Sequence, residues 1–440
     1  MLDELIRRCA TDAPERPLLV SERNTLRYGA CHSRALSVSV WMRSQGVDRV
    51  GIAAEDPSSI VIALVAAAMA GKEPCVYPRG LDQPGIGELA ARLGHNVVLT
   101  DDLPEGAYLP APEARDGAAA PVLILTTGTT GEPKAARHDW ARLAESVRHP
   151  DEASAARWLL AYNLNQFAGI QVLIHVLVSG STLIAPRSAR SQDVVEALRV
   201  HEVTHLSATP TFWRLLIGAI GREQAEALAL RQITLGGEVV SQSVLDRLAE
   251  LFPGARITHV YAGTEIGSVI SVNDGRAGLP ISVLDRGEES PVSFRIVDDE
   301  LHVRSNSGML GYHAEETEDR GGWRATGDRV EIRGDRIHFA GRISEIINVG
   351  GAKVSPLPIE EIACAVNGVE IAAAYGHPSP VTGEIVALDV VAVPGADQAT
   401  VELELRKAFR GLPRPGRPRR IRFVESLEMT GHKVIRRVGR

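Results

Sequence analysis

The stretch "LTTGTTGEPKAA", Leu125 to Ala136, gathers small hydroxyls, glycines and one lysine. Phosphate oxygens need converging N–H and O–H donors that no side chain obstructs. Glycine lets the backbone approach, threonine adds hydroxyls and lysine adds charge. The run reads as a phosphate cradle but not as a Walker loop, because Gly131 is followed by Glu132, Pro133, Lys134 and Ala135. The proline before the lysine also forecasts that no helix starts there. Alone, so short a match is balanced by an ordinary turn.

Four further segments hold residues able to do chemistry. They are "YAGTE" (Tyr261 to Glu265), "WRATGDRV" (Trp323 to Val330), "GRISEIINVGGAKVSPLPIEE" (Gly341 to Glu361) and "LEMTGHKVIRR" (Leu427 to Arg437). With the glycine–threonine run they stand in the order of the adenylate-forming superfamily. The chain resembles that family's AMP-forming acyl-CoA synthetases and stand-alone adenylation enzymes, from the loop to the C-terminus.

The resemblance implies attack of a carboxylate on the α-phosphate of ATP, giving an acyl-adenylate and pyrophosphate. The two anions repel, so the site must supply cations and oriented donors. By resemblance, Thr126, Thr127, Gly128, Thr129, Thr130 and Gly131 would wrap the β- and γ-phosphates, with Lys134 closing the loop. Thr264 would meet the α-phosphate, and Glu265 would hold Mg2+, a hard ion suited to oxygen ligands. Tyr261 would stack on adenine, with Gly236, Gly237 and Glu238 of "LGGE" around the base. Asp328 would take the ribose hydroxyls, assisted by Arg342. Lys433 would enter the closed site and neutralise charge, although His432 stands where the family has glycine. Plainer alternatives are a surface carboxylate for Glu265, core packing for Tyr261, a turn for Asp328 and a structural ion pair for Arg342.

The acid pocket is less legible. By resemblance it takes Gln166, Phe167 and Gly169, with Phe212 and Gly263. Phe212 and Trp213 read equally as core, and His175 and His205, in apolar runs, read as core histidines. Ser344 occupies the hinge position, and Gly350 and Gly351 either border a pantetheine tunnel or form a simple turn. The implied acceptor is the thiol of CoA. The phosphopantetheine of a carrier protein, or a small nucleophile, is the alternative. A catalytically weak nucleotide- or adenylate-binding module is the non-enzymatic one.

The supporting elements can be read from the pattern. The chain has 440 residues, 44% hydrophobic, with a formal net charge of -7. That allows a sizeable core in more than one domain and gives no reason for nucleic-acid binding. Four cysteines without metal spacing favour a reducing, cytoplasmic setting. The longest apolar run, Ile60 to Gly71, is too short to span a membrane and reads as a buried helix. Helical patterns alternate with short apolar runs before Gly275, which argues for an α/β fold with parallel sheets and a site at a carboxyl edge. After Gly275, "SFRIVDDELHVRS" and "VEIRGDRIHFAG" read as hairpins of a β-rich subdomain. The expected organisation is a large N-terminal α/β region, residues 1–342, and a small mobile α+β domain, residues 343–440. The chain is shorter than most members of that family ahead of the loop, a difference that either trims the acid pocket or alters a homodimer surface.

Overall fold

The computed structural model describes residues 1–106, 121–126, 134–145, 147, 156–287, 289–313, 322–430, 433–434 and 436. Thr127 to Gly131, the heart of the glycine–threonine loop, and Gly431 and His432 lie outside the described residues.

The helix Pro57–Ala70 shows why the N-terminal half is layered. Its sequence "PSSIVIALVAAAMA" is apolar on nearly every face, so it must be covered on all sides. Asp56 caps it by accepting from the Ser58 amide, Pro57 starts it, and Gly71 ends it at φ 65°. Helices Tyr28–Ser44, Leu2–Asp12 and Phe167–Ser179 join it in one core, flanked by two different sheets. The same order of helix, left-handed glycine and strand gives Arg49–Ile52, Glu73–Val76 and Val98–Leu99, as the sequence pattern predicts.

The apolar runs do not form one sheet. Strands Arg157–Leu159, Thr182–Ile184, His205–Ala208, Gln232–Gly236 and Arg256–Gly263 run parallel in an eight-stranded sheet. Pro121–Thr126 belongs to a separate six-stranded sheet, parallel to Glu73–Val76 and antiparallel to Lys134–Asp139. Hairpin pairing also begins before Gly275, because Gly267–Val272 folds back on Arg256–Gly263. Helices Ser191–Val200, Pro210–Ala219 and Gln242–Leu251 contribute to a second core with the eight-stranded sheet.

The two expected hairpins are present in a five-stranded antiparallel sheet. Val292–Val297 pairs with Glu300–Ser305 through Asp298 and Asp299, both at positive φ, and Arg324–Arg333 pairs with Arg336–Arg342. The C-terminal domain has its own five-stranded sheet, covered by helices Pro356–Cys364 and Gln398–Ala408. A two-stranded hairpin, Met429–Thr430 with Lys433–Val434, follows it. No helix among the described residues is long and apolar enough to cross a membrane.

His175 and His205 flank the Trp158 ring at 5.4 and 4.7 Å, and His205 Nδ1 lies 2.8 Å from the Thr204 hydroxyl. Burial pushes both, and also His95 and His138, down to about 4. The unfolded chain therefore binds protons that the folded chain refuses between pH 6.5 and 4, and stability falls as pH drops through that window. Each such histidine contributes a slope of about 1.4 kcal/mol per pH unit. Urea unfolding between pH 7 and 5 should show falling stability, and His138→Phe should flatten the fall by about one proton's share.

Candidate active site

The strand Pro121–Thr126 delivers the chain to the loop, and Lys134 opens the strand that returns, paired directly with Thr126. As Pro133 forecasts, the chain continues as a strand from Lys134. Any anion here must therefore be held by loop donors and side chains rather than by the dipole of a following helix.

The ammonium of Lys134 lies 4.9 Å from the centre of the Tyr312 ring. The Tyr312 hydroxyl donates to Glu265 Oε1 at 3.1 Å. Sequence reasoning missed Tyr312. It arrives through the short strand Gly311–Tyr312, which pairs with Ala136 and Arg137, a long-range contact with no local signal.

Thr264 and Glu265 occupy the turn between Arg256–Gly263 and Gly267–Val272. Met309 donates its amide to the Glu265 carbonyl at 3.1 Å. Gly267 sits at φ +75°, and a Cβ there would stand 2.2 Å from the Ser307 carbonyl oxygen. The turn is thus pressed onto the loop that leads to Tyr312. Behind it, His138 is fully buried with its ring 5.6 Å from Phe167. Burial dominates its low pKa; the Thr264 backbone opposes the shift and the charge of Arg324 adds to it.

A second group forms on the β-rich side. Tyr261 donates to Asp328 Oδ2 at 2.8 Å and packs its ring 4.9 Å from Phe339. Arg342 Nε lies 3.0 Å from Asp328 Oδ1, on the residue directly across the hairpin. The ion pair named as the alternative for Arg342 is therefore present. Burial first, then the Asp328 charge, raises the Tyr261 pKa, so its hydroxyl stays a donor. Gly327, at φ 72°, and the Thr326 hydroxyl, accepting from the Asp328 amide, shape an irregular stretch of the strand Arg324–Arg333 just before Asp328.

In "LGGE", the Gly236 carbonyl accepts from Tyr162 at 3.0 Å and Gly237 lies at φ 81°. Glu238 accepts the Thr211 amide at 3.0 Å, which places a carboxylate on the first turn of Pro210–Ala219. The strand Lys433–Val434 lies alongside that same helix.

The acid-pocket residues are not all brought together. Phe167, at the start of its helix, belongs to the core between the sheets, whereas Phe212 belongs to the second core with its ring edge-on to Trp213. Gln166 bonds the Asn163 amide at 3.2 Å, and Gly169 admits the Asn163 carbonyl, 2.1 Å from where a Cβ would stand. Gly263 closes its strand against Ile266. Ser344 lies in the exposed turn Ile343–Glu345, and Gly350 and Gly351, at φ 58° and 86°, form the turn of a hairpin.

Among the described residues, no cluster of three or more His, Cys, Asp or Glu could hold a metal. Glu265, a single oxygen donor beside a phenol, fits Mg2+ shared with substrate phosphates rather than a metal cage built by protein alone.

Two family models match the chain: the AMP-binding enzyme over residues 100–313 and the AMP-binding enzyme C-terminal domain over residues 358–433. VraA of Staphylococcus epidermidis, provisionally assigned as a long chain fatty acid-CoA ligase, is 25% identical over 400 residues, covering 85% of this chain and 84% of its own. The 2-succinylbenzoate–CoA ligase of Enterococcus faecalis is 26% identical over 334 residues, covering 71% of this chain and 67% of its own. The solved anthranilate CoA ligase AuaEII, in complex with anthranoyl-AMP, has the same fold at TM-score 0.84 and 18% identity, over 99% of this chain and 95% of that one.

Two variants probe this geometry. Tyr261→Phe removes one hydrogen bond to Asp328 and should weaken nucleotide binding by about 2- to 10-fold, read by calorimetric titration. Gly267→Ala should lower unfolding stability by more than about 1 kcal/mol in urea, because its backbone and its space both exclude a Cβ. The chain belongs to the adenylate-forming superfamily, as an AMP-forming acid–thiol ligase.

Proposed function

We propose that this chain joins a small carboxylic acid to AMP, with Mg-ATP as co-substrate, and then passes the acyl group to the thiol of CoA. The observation that carries the reading is the meeting of Lys134, Tyr312 and the Thr264–Glu265 turn at the mouth of the glycine–threonine loop. In the first step a carboxylate oxygen bonds to the α-phosphorus and the bond to pyrophosphate breaks. Lys134 and the loop donors hold the leaving pyrophosphate, and Thr264 donates to the α-phosphate. Bound Mg2+ on Glu265 supplies further positive charge to the phosphate oxygens. Tyr261, Asp328 and Arg342 hold the nucleoside end. Lys433, carried on its hairpin beside the helix Pro210–Ala219, neutralises the charge that builds up in that step.

In the second step the thiol sulfur attacks the acyl carbon and AMP leaves. Residues 343–440 turn about Ser344 as a unit, exchanging the Lys433 hairpin for the Gly350–Gly351 hairpin. Separate adenylation and transfer steps follow from that exchange.

The test is acid-dependent pyrophosphate exchange across aryl, short-chain and long-chain acids, followed by mass detection of acyl-CoA. Exchange with one class and a matching acyl-CoA is the expected result. Absence of exchange with every acid would leave a nucleotide-binding module instead. Lys433→Ala should lower exchange by about 10²–10³ while sparing transfer from a preformed adenylate. Equal loss in both steps would remove Lys433 from this role.

A further inference from the structure

The strands Met429–Thr430 and Lys433–Val434 pair only with each other among the described residues. A hairpin of two-residue strands has little stability of its own. Something must hold it, or the strand that carries Lys433 has no fixed place.

One end is held by apolar contact. Leu427 and Met429 pack on Ile371 and Ala373 of the C-terminal sheet. The other end is held by charge. Arg436, two residues beyond Val434, donates to both oxygens of Glu360 at 2.8 and 2.7 Å and to Glu345 Oε2 at 2.8 Å. Its side chain is only 15% exposed. Glu360 lies in the helix Pro356–Cys364 and also accepts the Ala374 amide at 2.9 Å. Glu345 stands next to Ser344. A single guanidinium thus ties the end of the chain to a helix and to the turn after the hinge position. Two carboxylates spaced this way match a planar fork of donors, which lysine cannot supply.

The surroundings explain why the cation persists. Burial would lower the Arg436 pKa, but its hydrogen bond and attraction to Glu360, and the charges of Glu345 and Glu238, raise it. Glu238 belongs to the large domain, where it holds the first turn of Pro210–Ala219, the helix beside the Lys433 strand.

We infer that Arg436 is a positioning residue for the adenylation step: by gripping Glu360 and Glu345 it fixes the Lys433 hairpin to the C-terminal domain, so that the domain's placement sets the strand alongside the helix Pro210–Ala219. This rests on the proposed role of Lys433. Arg436 touches no reacting atom in this scheme. It acts through the backbone of the hairpin, so its loss affects the step that needs the hairpin in place.

The test uses the full chain with Arg436→Lys and Arg436→Ala. The lysine variant keeps a cation between the two carboxylates, so the domain can fold even if the alanine variant does not. Hydrogen exchange of the amides from Leu427 to Val434 should quicken in both variants while the C-terminal sheet stays protected. Acid-dependent pyrophosphate exchange should fall about tenfold or more in the alanine variant and less in the lysine variant, through kcat rather than through KM for ATP. Thioester formation from a preformed adenylate should stay within about threefold of the parent. Hairpin amides that exchange no faster in the variants would overturn the anchoring. Equal loss of both half-reactions would overturn the positioning role. Undiminished pyrophosphate exchange in Lys433→Ala would overturn the lysine assignment and with it the catalytic part of the inference. The anchoring is judged separately, because hydrogen exchange reads Arg436 without turnover.

Discussion

The hydrogen bond from Tyr312 to Glu265 joins two sheets that share no strand. Tyr312 rides on the edge of the six-stranded sheet beside the returning strand of the loop, and Glu265 rides on a turn at the edge of the eight-stranded sheet. A few residues away, Tyr261 reaches from the eight-stranded sheet to Asp328 in the antiparallel sheet. The loop strand, Glu265 and Asp328 thus belong to three separate sheets. Shared hydrophobic cores hold the sheets together, and these few polar contacts, with the Met309–Glu265 backbone bond, set the side chains across the seams.

The loop strand is fixed in turn by charge. Glu73, only 4% exposed, receives Arg137 at 2.6 Å and Arg49 at 3.0 Å. Arg137 lies on the returning strand, and its carbonyl accepts the Leu310 amide just before Gly311–Tyr312. Glu73 is the buried member, whereas both arginines are about two-fifths exposed, so each guanidinium keeps some contact with water while it neutralises the carboxylate. The position of Tyr312 is therefore set by a carboxylate from early in the chain, on the strand Glu73–Val76.

That dependence explains what was legible in the sequence. Periodicity and glycine stops marked the helices Tyr28–Ser44 and Pro57–Ala70 because those signals are local. The turns at Asp298–Asp299 and Gly334–Asp335 were legible because two-residue hairpin turns demand particular residues. The division of the apolar runs into two sheets was not, since each strand is equally apolar whichever sheet receives it. Tyr312 and the Glu238–Thr211 cap escaped for the same reason. Each is a partnership across distant segments, and its residue type is ordinary where it stands. The Asp328–Arg342 pair was half legible: both residues stood out, but only the register of the hairpin puts them opposite each other.

The division of the cores bears on the proposed domain rotation between the two steps. The main core cluster of the C-terminal domain draws only on residues between Ile347 and Phe423, and the other large clusters draw on none of these. A rotation of this domain therefore breaks surface contacts, such as those of Pro210–Ala219 with Val369–Ser379, without opening a hydrophobic core. Surface contacts of this kind cost little to exchange, whereas a core residue such as Leu388 would cost several kcal/mol to expose. In the proposed scheme, nucleotide binding would fall to the sheets of the large domain and adjustable charge to a hairpin whose hold, through Arg436, lies within the C-terminal part. The lysine strand and its anchor can then travel together, so leaving the site does not require the hairpin to come apart.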